Sequence, residues 1–588
     1  MQDPILDWLD LYGKARGFVR DDQLPGYSQD TDMGLFLREK GSRFEEEVLR
    51  CLREKFKIVS IADADARRSF YEAQERSDER GTQTGIALDE RLYQRTLEAM
   101  REGAEIIYQP VVQDRARGTY GIPDLLVRSD QFERLVEHAP IAGEEVRIPS
   151  GLADSPFHYR VVDIKFTNLE LTAKAMVGNN ESDRRRKVQL LLYNRALGEM
   201  QGYEPPTAYL IGRSFSFTAK GTKYRGDGCF DRLGPAEMTD PSLGETLDAA
   251  VDWRRRLLAE GMNWDVFPSP SVPELFPNMK NTQDAPWHMA KKEIGEKIGE
   301  LTQLWYITPQ TRPLAHEAGV ITFSDERLET LDLGLKDKKL ETLRQIIRIN
   351  RDACADKVRP TRVGVCADVW RTPNPVEFFV DFETVSGLDD DFTKMPNKGG
   401  QNLIYMIGCG HVEAGEWQFT VFTCDRLTLG CERQIIDAWM AHMMAVQERL
   451  WPSGKPLVFH WSHAETSSLN TSFDSARKRH QADWPELQWF DFLVRVMREE
   501  PVVIKGSLAF GLKSVAKALH RQGAIRTNWT NGPGDGLGAM VGAWRCNERA
   551  IQEGKRLPEI PLMQSIQDYN EVDCRVMQEI VDYLRQHH

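Results

Sequence analysis

Apolar and polar positions along residues 41–56, GSRFEEEVLRCLREKF, place Phe44, Val48, Leu49 and Leu52 on one stripe, and that spacing predicts an amphipathic helix. YQPVVQ (108–113) and YGIPDLLVRS (120–129) predict neighbouring strands with Gly118 turning between them. YRVVDIKFTN (159–168) predicts a third strand, KVQLLLYNRALGEM (187–200) a second helix, and PTAYLIGRSFSF (206–217) a further strand. Helix, three strands, helix and strand make an α/β order.

The pattern then changes. Residues 221–370 are mainly helical, with Pro-rich breaks such as FPSPSVPELFP (267–277) and charged helices around 287–303 and 336–352. From 371 on, FFVDFETVS (378–386), NLIYMIGCGHV (402–412) and WQFTVFTC (417–424) predict three strands, ERQIIDAWMAHMM (432–444) a helix and PLVFHWS (456–462) another strand. Alternating elements lead to a terminal helix at 566–586, so a mixed sheet covered by helices is expected. The chain is read as an α/β multidomain protein divided at 1–220, 221–370 and 371–588. Its 588 residues are too many for one hydrophobic core.

Composition narrows the class. With 41% hydrophobic and 28% charged residues the chain is an ordinary globular protein, without an apolar run of membrane-spanning length or a signal-peptide pattern in MQDPILDWLDLYGKARG. A cytoplasmic protein with no membrane partner is expected. Nine cysteines include no C-x-x-C pair, so neither a disulfide framework nor a thiolate metal site is indicated. The net charge of −13 excludes a polycation that coats nucleic acid, yet DRRRK (183–187), WRRR (253–256) and ARKRH (476–480) are local clusters able to meet phosphates. Arg184 and Arg185 are the candidates in the first of them.

The chemistry lies in two constellations. In FFVDFETVSG (378–387), Asp381 and Glu383 alternate and so share one face of a strand that reads as buried. Two like charges there call for a cation. Tyr569 and Asp573 stand at i and i+4 in YNEVD, on one face of the terminal helix. D-x-E on a first strand followed far downstream by Y-x-x-x-D resembles the DEDD exonuclease family with an RNase H-like (DnaQ-like) fold. The resemblance implies a further carboxylate after the fourth strand, where HWSHAETSSLNTSF (460–473) offers Glu465, with Asp474 as the alternative. It also implies Mg²⁺ or Mn²⁺ held by Asp381, Glu383, Glu465 and Asp573, with Tyr569 orienting the attacking water. Two hard cations about 4 Å apart can clamp the attacking and leaving oxygens of a phosphodiester, and carboxylates suit them. Lys513, in GSLAFGLKSVAKAL (506–519), resembles the position that meets the nucleic-acid backbone in that family. His460 and His463 flank Glu465 and are read as lining the site.

In the first third, GIPD (121–124) and VVDIK (161–165) supply an acid and then acid-x-Lys, with Asp163 and Lys165 on one strand face. This resembles the PD-(D/E)xK nuclease core. Gln189 and Tyr193, as Q-x-x-x-Y on the following helix, and Glu45, in GSRFEEEV (41–48), narrow the resemblance to the RecB-type subfamily. It implies Mg²⁺ or Mn²⁺ on Asp124 and Asp163, with Lys165 steering or deprotonating water and stabilising phosphate charge. Relatives often carry cysteines for an iron–sulfur cluster; none is expected here. The long gap between Asp124 and Asp163 suggests an inserted hairpin at about 130–158. Residues 301–328 are similar to a short helical-hairpin spacer found between two such modules.

Together these resemblances imply a metal-dependent nuclease with two separate sites. DNA ends or single strands are the expected substrate, in repair, recombination or defence, with a helicase or nuclease complex as a partner. The alternatives are a nucleic-acid-binding or assembly subunit with one or both sites inactive, and an RNA-processing exonuclease.

Overall fold

A computed structural model describes residues 3–62, 90–138, 141, 143–152, 156–351, 354–388, 390–462, 469–529 and 536–588. The chain is an α/β protein that separates into two compact units. One contains Leu35–Met262 and Asp389–Gly400; the other contains Met1–Gly34, Asn263–Leu388 and Gln401–His588. The stretch 221–370 is thus shared: residues up to 262 pack with the first unit and the remainder with the second. Among the described residues no helix is long and apolar enough to cross a membrane.

The first unit is built on a six-stranded sheet. Its strands are β1 (Ile58–Ser60), β2 (Ile106–Tyr108), β5 (Leu125–Arg128), β6 (Tyr159–Ile164), β8 (Thr207–Ile211) and β11 (Gly234–Glu237), neighbours in that order. β2, β5 and β6 run antiparallel in turn, and β6 pairs with β8 in parallel. These strands alternate apolar residues toward two faces. Leu125, Val127, Val162 and Ile164 pack with Phe44, Val48 and Leu52 of helix α1 (Met33–Arg53). Leu126, Val161, Ala208 and Leu210 pack with Leu190, Leu191 and Leu197 of a helix at Glu181–Gln201, which is α3 after α2 (Glu90–Arg101). Both faces are covered, so the strands are mainly apolar, and a buried carboxylate in them stands out. The Asn180 side chain caps α3 by accepting from the Asp183 amide at 2.9 Å, and Gly202 ends it with φ of 71°.

Several expected elements are divided. The run 108–113 is not one strand: β2 ends at Tyr108, Gln109 has φ of 50°, and after Pro110 the chain forms β3 (Val112–Asp114), which makes a separate hairpin with β4 (Thr119–Gly121). Gly118, at φ of 62°, lies in its turn. The run 206–217 breaks at Gly212, where a Cβ would lie 2.5 Å from Leu169 Cγ and 2.8 Å from the Thr167 carbonyl oxygen. Beyond it, β9 (Ser214–Ala219) joins β7 (Asn168–Glu170) and β10 (Thr222–Gly226) in a small sheet of order β10-β9-β7. No hairpin occupies the described part of 130–158. Short helical turns at Phe132–Leu135 and Gly143–Arg147 do instead, because Phe132 and Leu135 bury into the core and Ser129 Oγ donates to the Val146 carbonyl at 2.7 Å. Strands β10 and β11 precede helix α4 (Pro241–Glu260), so the stretch read as mainly helical opens with strands.

The second unit contains α5 (His288–Ile298) and α6 (Asp337–Ile349), near the expected bounds. Instead of a helical hairpin, 301–328 forms the single six-residue helix Arg312–Glu317 between 3₁₀ turns, and it inserts Leu301, Leu304, Ile307 and Val320 into the core. A short strand, β12 (Val358–Arg359), precedes the main sheet. That sheet consists of β13 (Glu377–Val385), β14 (Leu403–Glu413), β15 (Glu416–Thr423), β16 (Leu457–His460) and β17 (Gln488–Asp491), in the order β15-β14-β13-β16-β17. The first three are antiparallel and the last two follow β13 in parallel. Helix α7 (Leu429–Leu450) sends Trp439 edge-on to Phe382 of β13 at 5.4 Å, together with α8 (Leu469–His480) through Phe473. Phe379 and Phe459 point the other way. They join the core shared with Val515 and Leu519 of α9 (Leu512–Arg521) and Val576, Met577 and Ile580 of the terminal helix Pro561–His587, which is α11 after α10 (Gly536–Glu553).

Candidate functional site

The parallel pairing of β13 with β16 covers only Glu377–Phe379, so Asp381 lies just past the end of that ladder while β14 still flanks it on the other side. Ligand sites in sheets of this kind open beyond the strand ends. Asp381 and Glu383 share a face, and a bulge follows Glu383. From α11, Asp573 turns onto the same spot. One ligand oxygen from each of Asp381, Glu383 and Asp573 lies within 4.8 Å of the others. Asn570 donates from Nδ2 to Asp381 Oδ2 at 3.0 Å and also bonds Glu383; Trp529 Nε1 donates to Asp573 Oδ1 at 3.1 Å. The Tyr569 hydroxyl bonds Asp573, and Lys513 Nζ stands 4.6 Å from the centre of the Tyr569 ring.

Electrostatics follow from that crowding. Burial, then the charges of Asp381 and Asp573, push Glu383 well above the usual carboxylate range; burial and then Asp381 do the same for Asp573. Lys513 opposes both shifts without cancelling them. The three acids are short of positive charge, and either protons or a cation must complete them. The donor set consists of hard oxygens of the kind that Mg²⁺ or Mn²⁺ takes.

Two residues that complete this site were not singled out in the sequence. Gly408 on β14 pairs with Asp381, and a Cβ there would lie 1.9 Å from Asn570 Oδ1. Only a glycine lets Asn570 reach the acids. The readable signal was Gly408 and Gly410 alternating inside an apolar strand, since a glycine there marks a close approach. Asn570 itself lies three residues before Asp573, hence on the same helix face. Glu465 and His463 lie outside the described residues. Asp474 is exposed on α8 and does not join the acidic group. His460 ends β16 buried, and burial lowers its pKa against the pull of Asp491.

The first unit collects its own set. Asp124 stands immediately before β5, and its Oδ2 accepts from the Ile164 amide at 2.6 Å, which fixes it beside Asp163 of β6. Lys165 Nζ lies 2.5 Å from Asp163 Oδ2. Glu45 of α1 accepts at Oε1 from the Tyr108 hydroxyl at 2.9 Å and Gln109 Nε2 at 3.0 Å. Burial, then Asp163 and Glu45, raise Asp124 well above the usual carboxylate range. Burial works to lower the Lys165 pKa, but Asp163 and Asp124 outweigh it and the net shift is upward. Gln189 Nε2 donates to the Tyr193 hydroxyl at 2.9 Å; burial, then Asp163, push that hydroxyl up to about 12. Gly121 on β4 makes room for the Tyr193 ring, since a Cβ there would meet its Cε1 at 2.3 Å. Among the described residues this set does not bring three ligand oxygens together as the Asp381 group does.

Most of the basic clusters serve packing. Arg184 Nη2 donates to the Ser242 carbonyl at 3.0 Å and to Thr246 Oγ1 at 2.9 Å, tying α3 to α4, and Arg186 pairs with Asp183. Arg185 is exposed. In ARKRH, Arg479 and His480 both meet the fully buried Glu432, at 2.6 Å each. Arg255 of WRRR donates to the Arg117 carbonyl at 2.5 Å.

No protein-family model matches the chain, and neither a curated protein nor a solved structure is significantly similar to it. The geometry of the two acidic sets therefore stands alone as the basis for a functional reading.

Proposed function

We propose that the chain is a metal-dependent nuclease that hydrolyses phosphodiester bonds, most readily in DNA, at two separate sites. The observation that carries this reading is the group Asp381, Glu383 and Asp573 beyond the end of β16, with the Tyr569 hydroxyl on Asp573. A mixed sheet with helices on both faces also agrees with the RNase H-like resemblance. Mg²⁺ or Mn²⁺ bound there would stabilise the oxygens that enter and leave the phosphorus. Asp381, Glu383 and Asp573 hold it; Asn570 fixes the first two acids and Trp529 the third. Tyr569 orients the attacking water, and Lys513 brings positive charge to a substrate phosphate. Glu465 is the fourth carboxylate of this proposal.

In the first unit, Asp124 and Asp163 are the metal ligands. Lys165, beside Asp163, steers or deprotonates the attacking water and stabilises phosphate charge. A second reading has a specific observation behind it. The Lys165–Asp163 pair already neutralises one acid, which favours a first unit that binds nucleic acid without cutting it.

The test is cleavage of end-labelled single-stranded DNA, duplex DNA and RNA with Mg²⁺ or Mn²⁺. Wild type is compared with Asp381→Ala, Asp163→Ala and the double variant. Each single change should remove a distinct product pattern, and EDTA should remove both. Loss of all cleavage in Asp381→Ala alone would reduce the first unit to the binding role. A wild type that never cuts any of the substrates with either metal would sink the nuclease reading.

A further inference from the structure

The small sheet β10-β9-β7 has β10 at an edge that no strand covers among the described residues, and its side chains are unlike those of the strands around it. The hairpin between β9 and β10 turns at Lys220 (φ 49°) and Gly221 (φ 79°), a two-residue left-handed turn of the kind that matches strand twist. On one face Tyr224 pairs across from Phe217, and the rings stack at 4.8 Å with planes 13° apart. Phe217 stacks in turn on Phe215 at 6.2 Å. This aromatic ladder runs from the core outward and ends in the open: Phe215 is 9% exposed and Tyr224 is 47% exposed. Arg232 lies over both phenylalanine rings, 5.6 and 5.4 Å from their centres, and its buried Nε has no hydrogen-bond partner among the described residues.

Charge reinforces the pattern. Lys220, Lys223 and Arg225 are exposed and make no ion pair among the described residues, in a chain of net charge −13. Lys223 and Arg225 point to the opposite face from Tyr224, but all three border the same edge. A groove of about 640 Å³, lined in part by Arg232, Lys174, His138 and Glu137, adjoins the ladder through Arg232. Aromatic rings with a free face, interleaved with unpaired cations, are the chemistry that holds single-stranded nucleic acid: bases stack and phosphates pair.

We propose that the β9–β10 hairpin is an auxiliary binding surface for single-stranded nucleic acid, with a base stacked on Tyr224 and phosphates on Lys223 and Arg225. The inference rests on the nuclease reading above, which supplies the polymer, and adds a place away from the acidic residues where a strand is held. Charged side chains on an edge strand also discourage pairing with other sheets. That role alone requires no effect on nucleic-acid binding.

The experiment measures fluorescence anisotropy of labelled 20-mer dT and U strands with the full-length protein in EDTA, where binding is read without cleavage. Tyr224→Ala should weaken binding by fivefold or more, as for loss of one stacked base. Tyr224→Phe, which keeps the ring, should bind like wild type, and unchanged melting temperatures show that the variants fold. The Lys223→Gln/Arg225→Gln double variant should lower the slope of log K against log salt by about 1.4, since two phosphates would no longer be neutralised. If all three variants bind both strands like wild type with the same salt slope, the hairpin proposal falls while cleavage by wild type leaves the nuclease reading intact. If wild type binds neither strand, the hairpin proposal falls whatever the cleavage assay reads.

Discussion

Asn570 shows what a single uncharged residue does in a crowd of acids. Its amide meets Asp381 and Glu383 together, and it can do so only because Gly408 presents no side chain. Removing that amide leaves both carboxylates without a shared donor. Residues that orient metal ligands in this way are worth roughly 10- to 100-fold in metal affinity or activity. Asn570→Ala should therefore weaken Mn²⁺ binding by about that factor, measured by calorimetric titration in an Asp163→Ala background that silences the other set. Unchanged affinity would mean that the acids hold their positions without it. The D-x-E alternation and the i,i+4 placement of Tyr569 and Asp573 were legible because each depends on backbone period alone. Asn570 and Gly408 were not, because their partnership crosses from a helix to a strand more than 150 residues away in sequence.

Among elements, β6 links packing to acid stability. His158, just before the strand, has its Nδ1 2.9 Å from the Ile148 carbonyl and accepts at Nε2 from Arg160 Nε, also at 2.9 Å. Arg160 continues to the Tyr209 hydroxyl of β8 at 3.1 Å and to Glu145 at 2.6 Å. Nε2 can accept only if the ring is neutral. Burial accordingly lowers the His158 pKa from 6.5 to about 4. Between those values the unfolded chain takes up a proton that the folded chain refuses, so stability falls as pH drops from about 6.5 to about 4, by at most about 3 kcal/mol. His158→Gln, which keeps polar contacts without titrating, should flatten that fall when unfolding by urea is followed at pH 4.5 and 7. An equally steep fall in the variant would assign it to other groups. The strands β6 and β8 of this network were readable from the period-2 pattern, but the helical turn that carries Glu145 falls where a hairpin was expected, and Pro110 and Gly212 divided two runs that the apolar pattern alone joins.

At the scale of the molecule, the chain does not distribute its sequence in simple blocks. Residues 389–400, which follow β13, belong with the first unit, where Asp390 forms a buried bidentate pair with Arg213 and Phe392 enters the core. The Arg213 Nε–Asp390 Oδ2 bond is 2.7 Å, and both side chains are buried. Removing one partner strands a buried charge and costs about 3–5 kcal/mol, while replacing both with apolar groups is far cheaper. Asp390→Ala should accordingly lower the melting temperature of the first unit by several degrees, and Arg213→Met/Asp390→Leu should recover most of it, as read by calorimetry. Failure of the double change to recover would locate the loss elsewhere in the segment.

The division of labour between sequence and tertiary structure follows the range of the interactions involved. Readable from the chain alone were the helix stripe of Phe44, Val48 and Leu52, a strand within each of 120–129 and 159–168 though not its bounds, and the acidic pair of β13, since repeating backbone geometry sets which neighbours share a face. Packing sets which acids meet, which glycines give clearance, and which cations are paired. Arg479 pairs with Glu432, whose carboxylate His480 also meets, Arg184 ties two helices, and Lys220, Lys223 and Arg225 make no ion pair among the described residues. A local period cannot specify those outcomes. Each depends on the distance between side chains that only the packed chain brings together.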